Sequence, residues 1–310
     1  MIADAHDHSP ADAPRADPAR ERPRAQPWQR MAAGGGLLDP SGALRYTVFE
    51  EMTALATRTG SVNLGQGFPD FAPPQPMVDA AVAALHTGHH QYAPIIGVPA
   101  LRQAVAKHQR DHYGLHLDPD SQIAVSAGAT EGMTAALLSV LQPGDEVVMF
   151  EPRYDLYGAA VEFTGATPVP VPLLPPTFTP DPDDVRAAFS PRTRAVILND
   201  PHNPTGTVAS REFKELLVEL ATEFDAVIVT DEVYEHLVFD GARHLSPAAV
   251  PGLRERTLVV SSAGKTFNVT GWKVGWVCGP AALVAAVRTA KQFLTYVNAG
   301  PFQPAVAAGL

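Results

Sequence analysis

Short apolar runs alternate with amphipathic segments through the middle of the chain, between residues 123 and 278. The runs have the length of buried strands and lie at 122–125, 146–150, 195–198, 226–229, 257–260 and 273–278. Helical patterns are predicted at 77–85, 101–112, 211–224 and 283–297. Because the strands are continuously apolar rather than alternating, the chain is predicted to be an α/β protein with a mostly parallel sheet and helices on both faces.

The regions before this alternation have a different pattern. Residues 1–36 are rich in Ala, Pro, Asp, Arg and Gly and lack an apolar segment, which predicts a disordered leader. Apolar residues then recur at helical spacing at Val48, Met52 and Leu55. A proline-rich stretch at 168–182 predicts an edge strand and a loop.

One lysine follows a predicted strand among small residues. Lys265 comes just after the run at 257–260, and a second cation, Lys273, lies eight residues further on. A desolvated lysine has a lowered pKa and its free amine attacks carbonyls, as in a Schiff base with pyridoxal phosphate (PLP). An exposed lysine in a plain turn is the alternative. A phosphate-binding P-loop is excluded because Val259 stands where that motif requires glycine.

Polar or small residues also follow four other predicted strands. Each has a structural explanation beside a functional one. Gly128-Ala129-Thr130 forms either a plain turn or a phosphate seat, and Tyr154 either packs in the core or stacks on an aromatic cofactor. Asn203 either shapes a turn or donates to a ligand. Asp231 forms a buried salt bridge, caps a helix or pairs with a pyridinium. Since ligands of open α/β sheets gather at the carboxyl ends of strands, these positions are candidates for one shared site.

Composition excludes several classes of function. The 310-residue chain carries a formal net charge of −10, which argues against nucleic acid or anionic membrane partners. The single cysteine, Cys278, rules out a disulfide within the chain and fits a reducing cytoplasm. His108 and His112 lie one helical turn apart without evident further ligands, so they are interpreted as a solvated face and no metal site is predicted.

Taken together, the motifs resemble the PLP-dependent aminotransferases of class I/II, fold type I. The resemblance covers roughly residues 62–304 and depends on Asn-Pro-Thr-Gly at 203–206, Asp-Glu-x-Tyr at 231–234 and Gly-Lys-Thr-Phe at 264–267. Gly-Gln-Gly-Phe-Pro-Asp-Phe at 65–71 and Gly-Trp-Lys-Val-Gly-Trp at 271–276 are similar to the branch with kynurenine, glutamine, methionine and succinyl-diaminopimelate aminotransferases. The resemblance implies PLP as cofactor, amino acid and 2-oxo acid substrates, a ping-pong mechanism and a homodimer.

The resemblance also implies a role for each motif residue. Lys265 would form the Schiff base and move the proton, Asp231 would pair with the pyridinium nitrogen, and Tyr234 with Asn203 would bond the ring hydroxyl. Tyr154 would stack on the ring. The remaining roles are phosphate binding by Gly128, Ala129, Thr130, Ser262 and Lys273, contact with the neighbouring subunit's phosphate by Tyr92, and substrate carboxylate binding by Gly67 and Asn203.

The resemblance further implies a domain division and one departure from the family. Residues 37–75 would contribute to a small domain, 76–295 would form the PLP-binding large domain, and 296–310 would begin an incomplete small domain. The arginine that clamps the substrate carboxylate in the family would lie beyond residue 310. Two alternatives therefore stay open beside transamination: a PLP-dependent cysteine-conjugate β-lyase, and a fragment that binds PLP without turnover.

Overall fold

A single seven-stranded sheet forms the centre of the molecule. The computed structural model describes residues 25–65 and 71–310. The strands are β1 (Ile123–Ser126), β2 (Glu146–Glu151), β3 (Thr167–Pro172), β4 (Thr193–Asn199), β5 (Val227–Asp231), β6 (Thr257–Ser262) and β7 (Gly275–Cys278), in the order β1-β7-β6-β5-β4-β2-β3. In this described sheet, β7 runs opposite to the other six strands and pairs antiparallel with β1 and β6. The predictions of a mostly parallel sheet and of an edge strand near Pro168 are confirmed.

Helices cover both faces of this sheet. They are α1 (Pro27–Gly34), α2 (Val48–Thr59), α3 (Gln75–His86), α4 (Pro99–Tyr113), α5 (Gly128–Val140), α6 (Asp155–Thr164), α7 (Pro182–Ala187), α8 (Arg211–Glu223), α9 (Ala263–Thr266), α10 (Ala281–Gln292) and α11 (Phe302–Gly309). None of the described helices is long and apolar enough to cross a membrane.

Successive residues of the central strands point to opposite layers of the core. Val147 and Met149 pack with α5, α6 and α10, whereas Val148 packs with α7 and α8. In β4, Ile197 and Val196 divide in the same way. A strand buried on both faces must be apolar at every position, which explains the continuous apolar runs in the sequence.

The carboxyl ends of the parallel strands meet at one edge of the sheet. Asn199 at the end of β4 is level with Asp231 at the end of β5. On the other side, Gly275 at the start of antiparallel β7 lies between Ser126 of β1 and Ser262 of β6. The loops that follow Ser126, Asn199, Asp231 and Ser262 therefore open into the same space.

Helix α1 corrects the prediction that residues 1–36 are disordered. That prediction is wrong for residues 27–34, which form a helix packed along α6, while residues 1–24 lie outside the described part of the chain. Pro27 is the first residue of this helix, where the fixed φ angle of proline matches the helical conformation. Gly34 touches Gly158 backbone to backbone, and Arg30 Nε donates to the Glu162 carbonyl at 3.4 Å. At this point the two helices touch through glycine backbones rather than through large side chains.

Substitution of Gly34 by alanine is expected to detach α1. A Cβ at Gly34 would lie 2.4 Å from the Gly158 carbonyl oxygen, so α1 must move away from α6. We expect a loss of about 1–3 kcal/mol in the free energy of unfolding, measured by urea denaturation. Gly35→Ala is the matched control, because its nearest atom, Ala159 Cβ, is at 3.4 Å. Equal stability of the two variants would contradict this docking.

The chain's last helix packs back onto the preceding helices. Ala305 and Val306 of α11 are buried with Met77 of α3 and Leu101 of α4. Residues 296–310 were expected to begin a second domain, and α11 belongs to the same packed body as α3 and α4. The division of the chain into large and small domains stays a prediction.

Candidate active site

A cavity of about 540 Å³ opens at the carboxyl edge of the sheet. It gathers residues from loops after β1, β2, β4, β5 and β6. The residues that line it and were singled out in the sequence are Gly128, Ala129, Thr130, Tyr154, Asn203, Asp231, Tyr234, Ser262, Lys265 and Lys273. Phe49 of α2 and Gly65 also line the cavity, so the segment before the sheet forms part of its wall.

Lys265 is half-buried on the single turn of α9, directly after β6. Its Nζ lies 5.6 Å from the centre of the Tyr234 ring. Burial lowers the pKa of the Lys265 ammonium, and the negative charge of Asp231 opposes this change. An amine with a lowered pKa has more of its nucleophilic free base near neutral pH, as covalent chemistry with a carbonyl requires.

Asp231 is a buried carboxylate at the last position of β5. Its Oδ2 accepts a hydrogen bond from the Tyr157 hydroxyl at 2.9 Å, and its Oδ1 accepts one from the Val233 amide at 3.3 Å. Burial raises the pKa of Asp231 to about 6 despite these two bonds. A cation that enters the cavity would therefore stabilise the ionised form of the Asp231 carboxylate.

Tyr157 was missed by the sequence analysis. It lies on α6, one turn after Tyr154, and the two rings meet edge-on with centroids 5.8 Å apart. Its side chain is buried in the core, and its hydroxyl reaches Asp231 at the cavity wall. The sequence does place Tyr154 and Tyr157 three residues apart, on one face of a helix. Such a spacing usually indicates ordinary core packing rather than a functional site.

Substitution of Tyr157 by phenylalanine is expected to raise the pKa of Asp231, since the Tyr157 bond lowers it. A hydrogen bond to a charged group contributes about 1.5–3 kcal/mol, so any reaction rate that depends on the ionised Asp231 should fall by roughly 10-fold or more. The acidic limb of the pH–rate profile should also move to higher pH, because a larger fraction of Asp231 is protonated at each pH. Tyr46→Phe, on an exposed tyrosine, is the control. An unshifted acidic limb would show that the Tyr157 bond does not tune Asp231.

The first turn of α5 forms a seat for an anion. Gly128 begins this 13-residue helix with φ of +74°, a left-handed conformation that favours glycine. Lys273 reaches over the same turn, its Nζ 3.1 Å from where a Cβ on Gly128 would stand. The backbone of Gly275 is also closely packed against Gly128 and Ala129. Free amides, the positive end of the helix dipole and an ammonium group thus converge.

The side chain of Asn199 joins the loop after β4 to β5. Asn199 donates from Nδ2 to the Asp231 carbonyl at 2.9 Å, and its Oδ1 accepts from the Asn203 amide at 2.7 Å. The next residue, Asp200, forms a buried ion pair with Lys214 of α8 at 2.7 Å. These bonds fix Asn203 on the wall opposite the helix terminus.

Comparison with known proteins identifies the family. Residues 59–310 match the family described as aminotransferase class I and II. The chain belongs to the class I and II aminotransferases. It is 53% identical over 266 residues to the probable N-succinyldiaminopimelate aminotransferase DapC of Mycobacterium tuberculosis, covering 85% of this chain and 67% of that protein. It is 42% identical to the methionine aminotransferase of Escherichia coli, covering 85% and 68%.

Solved aminotransferase structures have the same architecture. The N-succinyldiaminopimelate aminotransferase of M. tuberculosis matches with a TM-score of 0.83 over 85% of this chain and 69% of that one. The chain thus spans about two thirds of the length of these aminotransferases. The predicted fold class and family are confirmed, and the family implies pyridoxal 5′-phosphate as the cofactor.

The cavity residues of this aminotransferase fit that cofactor. The α5 terminus with Lys273 suits a phosphate, the buried Asp231 suits a protonated ring nitrogen, and Lys265 suits covalent attachment to an aldehyde. The role of each residue stays a prediction, carried forward below.

Two predicted site residues of the aminotransferase are not brought together with the others. Tyr92 is 81% exposed, lies outside this cavity and meets Tyr296 edge-on at 5.5 Å. Its location on the surface is what contact with a second subunit requires. Gly67 lies outside the described residues, so its placement is not given.

The interpretation of His108 and His112 as a solvated face is wrong for His108. His108 is 4% exposed, and its Nε2 lies 2.8 Å from Nε2 of His236. His112 is exposed, as expected. No local sequence pattern marks His236 as a neighbour, because it lies in the loop after β5, more than a hundred residues further along the chain. The supposed lack of further ligands near the pair was therefore mistaken.

Proposed function

We propose that the protein catalyses transamination between an L-amino acid and a 2-oxo acid by a ping-pong mechanism. The donor loses its amino group and leaves as a 2-oxo acid before the acceptor 2-oxo acid binds and receives the nitrogen. The observation that carries the proposal is a single cavity containing a partly desolvated lysine, a buried carboxylate and an anion seat.

Each group in the cavity has a proposed task. PLP, when bound, supplies an electron sink for the bond to the substrate's α-carbon. Lys265 is the covalent attachment point for the cofactor, and its free amine removes and returns the α-proton. Asp231 keeps the ring nitrogen protonated by opposing its positive charge. Gly128 and Lys273 hold the phosphate.

The remaining cavity residues orient the reacting groups. Tyr234 and Asn203 bond the ring hydroxyl, and Tyr154 packs on the ring face. The other residues assigned to the phosphate are Ala129, Thr130 and Ser262. Gly67 and Asn203 are assigned to the substrate carboxylate. Together these contacts exclude water from the α-carbon and limit the proton's path to Lys265.

The amino donor is proposed from similarity. Identity is 53% to the mycobacterial N-succinyldiaminopimelate enzyme and 42% to the methionine enzyme, so N-succinyl-diaminopimelate is the first substrate to test. We further propose a homodimer in which Tyr92 reaches the neighbouring subunit's phosphate, and a cytoplasmic location. Large exposed apolar side chains at Val48, Leu64 and Phe71 favour such an association.

Borohydride reduction of the PLP-loaded protein followed by peptide mass mapping is the direct test. A phosphopyridoxyl adduct on the Lys265 peptide, together with donor-dependent conversion of the bound cofactor to its pyridoxamine form, is the expected result. An adduct on another lysine, or no conversion by any amino acid, would disprove the proposal. Ammonia and pyruvate released from a cysteine conjugate without an acceptor would identify a β-lyase. An adduct without turnover would identify a binding fragment.

A further inference from the structure

Three histidines converge on a surface that the proposed transamination does not use. His108 and His112 lie one turn apart on α4, and His236 follows β5. One ring nitrogen from each histidine lies within 4.8 Å of the other two. The ring centroids are 4.6 Å apart for His108 and His112, 5.1 Å for His108 and His236, and 5.0 Å for His112 and His236.

We propose that His108, His112 and His236 form a site for a divalent transition-metal ion of the zinc class. Two histidines spaced i and i+4 on one helical face are the common helical half of a zinc site. The third imidazole comes from another element and closes the set. Three imidazoles with an open fourth position are a complete donor set for Zn²⁺, and also suit Co²⁺ and Ni²⁺.

The distances between the histidines agree with metal binding. Two nitrogens bound to one tetrahedral zinc ion lie about 3.3 Å apart, given Zn–N distances of about 2.0–2.1 Å. The His108 and His236 Nε2 atoms are 2.8 Å apart, so they need to separate by only about half an ångström. His112 and His236 are exposed, which gives an ion access from solvent and leaves room for a water molecule as fourth ligand.

A carboxylate lies close to the three imidazoles. The His108 ring is buried, and its Nε2, which faces Nε2 of His236, lies 3.9 Å from the Glu235 carboxylate. A cation bound by the imidazoles would be partly balanced by Glu235 and would favour the ionised form of that carboxylate. A single proton between two Nε2 atoms joins only two of the three rings, whereas one ion contacts all three.

The ion would join two distant parts of the chain. His236 is two residues beyond Tyr234 and five beyond Asp231, and its partners on α4 precede the sheet. Glu235, beside His236, also accepts hydrogen bonds from Tyr113 of α4 at 2.6 Å and from Ser261 of β6 at 2.8 Å. The metal would therefore fasten α4 to the segment that carries Asp231 and Tyr234.

Titration of the PLP-saturated protein with Co²⁺, followed by competition with Zn²⁺, tests the site. Tetrahedral Co²⁺ has intense visible absorption, which reports on coordination rather than loose association. We expect one ion per chain and a melting temperature that rises with metal. His112→Ala and His236→Ala should each weaken binding by about 100-fold or more, since even changes to outer-shell partners cost 10–100-fold.

His116→Gln is the matched control, because this exposed histidine lies outside the cluster. It should bind Co²⁺ like the unchanged protein. The melting temperature of each variant with metal is compared with that of the same variant without metal. A change in stability caused by the substitution itself therefore does not affect the measured effect of the metal. The proposal is overturned if the unchanged protein binds no ion, if both cluster variants keep full affinity, or if the control loses affinity as well.

Discussion

Replacement of Lys265 by alanine is expected to lower the transamination rate by about 10⁴-fold or more. The amine is proposed both to attach the cofactor and to move the α-proton. Because the variant loses both roles, we expect a rate decrease at the upper end of the range measured for catalytic residues. Single-turnover absorbance of the cofactor after mixing with donor gives the rate. Added methylamine should restore part of it, because a small free amine can enter the cavity that the truncated side chain enlarges.

Lys107→Ala provides the control for this result. Lys107 is exposed on α4 and pairs with Asp111 at 2.9 Å, outside the cavity. Its variant should keep full activity and an unchanged borohydride adduct. If the Lys265 variant retained a substantial rate without methylamine, Lys265 would not be the proton carrier.

Replacement of Asp231 by asparagine is expected to lower activity by about 10²–10³-fold while stabilising the cofactor-free fold. The first effect follows because asparagine carries no charge to oppose a protonated ring nitrogen. The second follows from burial, which raises the pKa of Asp231 to about 6 from its ordinary value of 3.8. The folded state binds this proton more tightly than the unfolded chain, so the ionised carboxylate costs stability, roughly 1–3 kcal/mol.

The pH dependence of this second effect has a definite sign. The destabilisation by Asp231 begins as pH rises above about 4 and is complete above about 6. The melting temperatures of the cofactor-free protein and the asparagine variant should therefore diverge over this range and stay apart above it, the variant being the more stable. Asp79→Asn, at an exposed position on α3, should show no such divergence. A variant less stable than the parent at pH 8 would mean that the Tyr157 bond outweighs the desolvation of the carboxylate.

The sheet and most of the cavity could be predicted from the sequence because both depend on local pattern. Each run buried on two faces is continuously apolar, and chemistry-bearing residues directly follow those runs. Once Asp231 and Lys265 are placed at the ends of strands β5 and β6, the topology of parallel strands brings them to one edge. The same argument places Gly128 and Asn203 at that edge.

The features that were missed depend on contacts between distant segments. Helix α1 is held by the approach of Gly34 to Gly158, which no local hydrophobic pattern can reveal. Tyr157 resembles any core residue of an amphipathic helix until its hydroxyl is seen beside Asp231. His236 meets His108 only through the packing of α4 on the loop after β5. In each case the role of the residue depends on a contact with a residue that is distant in the sequence.

The antiparallel strand β7 has a consequence for synthesis of the chain on the ribosome. β1 and β6 each pair with β7 and are not neighbours of one another in the sheet. Until residues 273–278 have been synthesised, β1 is an unpaired edge and Gly128 has no Lys273 beside it. Under the phosphate-binding role proposed for Gly128 and Lys273, a nascent chain would bind the cofactor only after that point. Capture of the cofactor would then coincide with completion of the described sheet, and free PLP would selectively stabilise chains that have passed it.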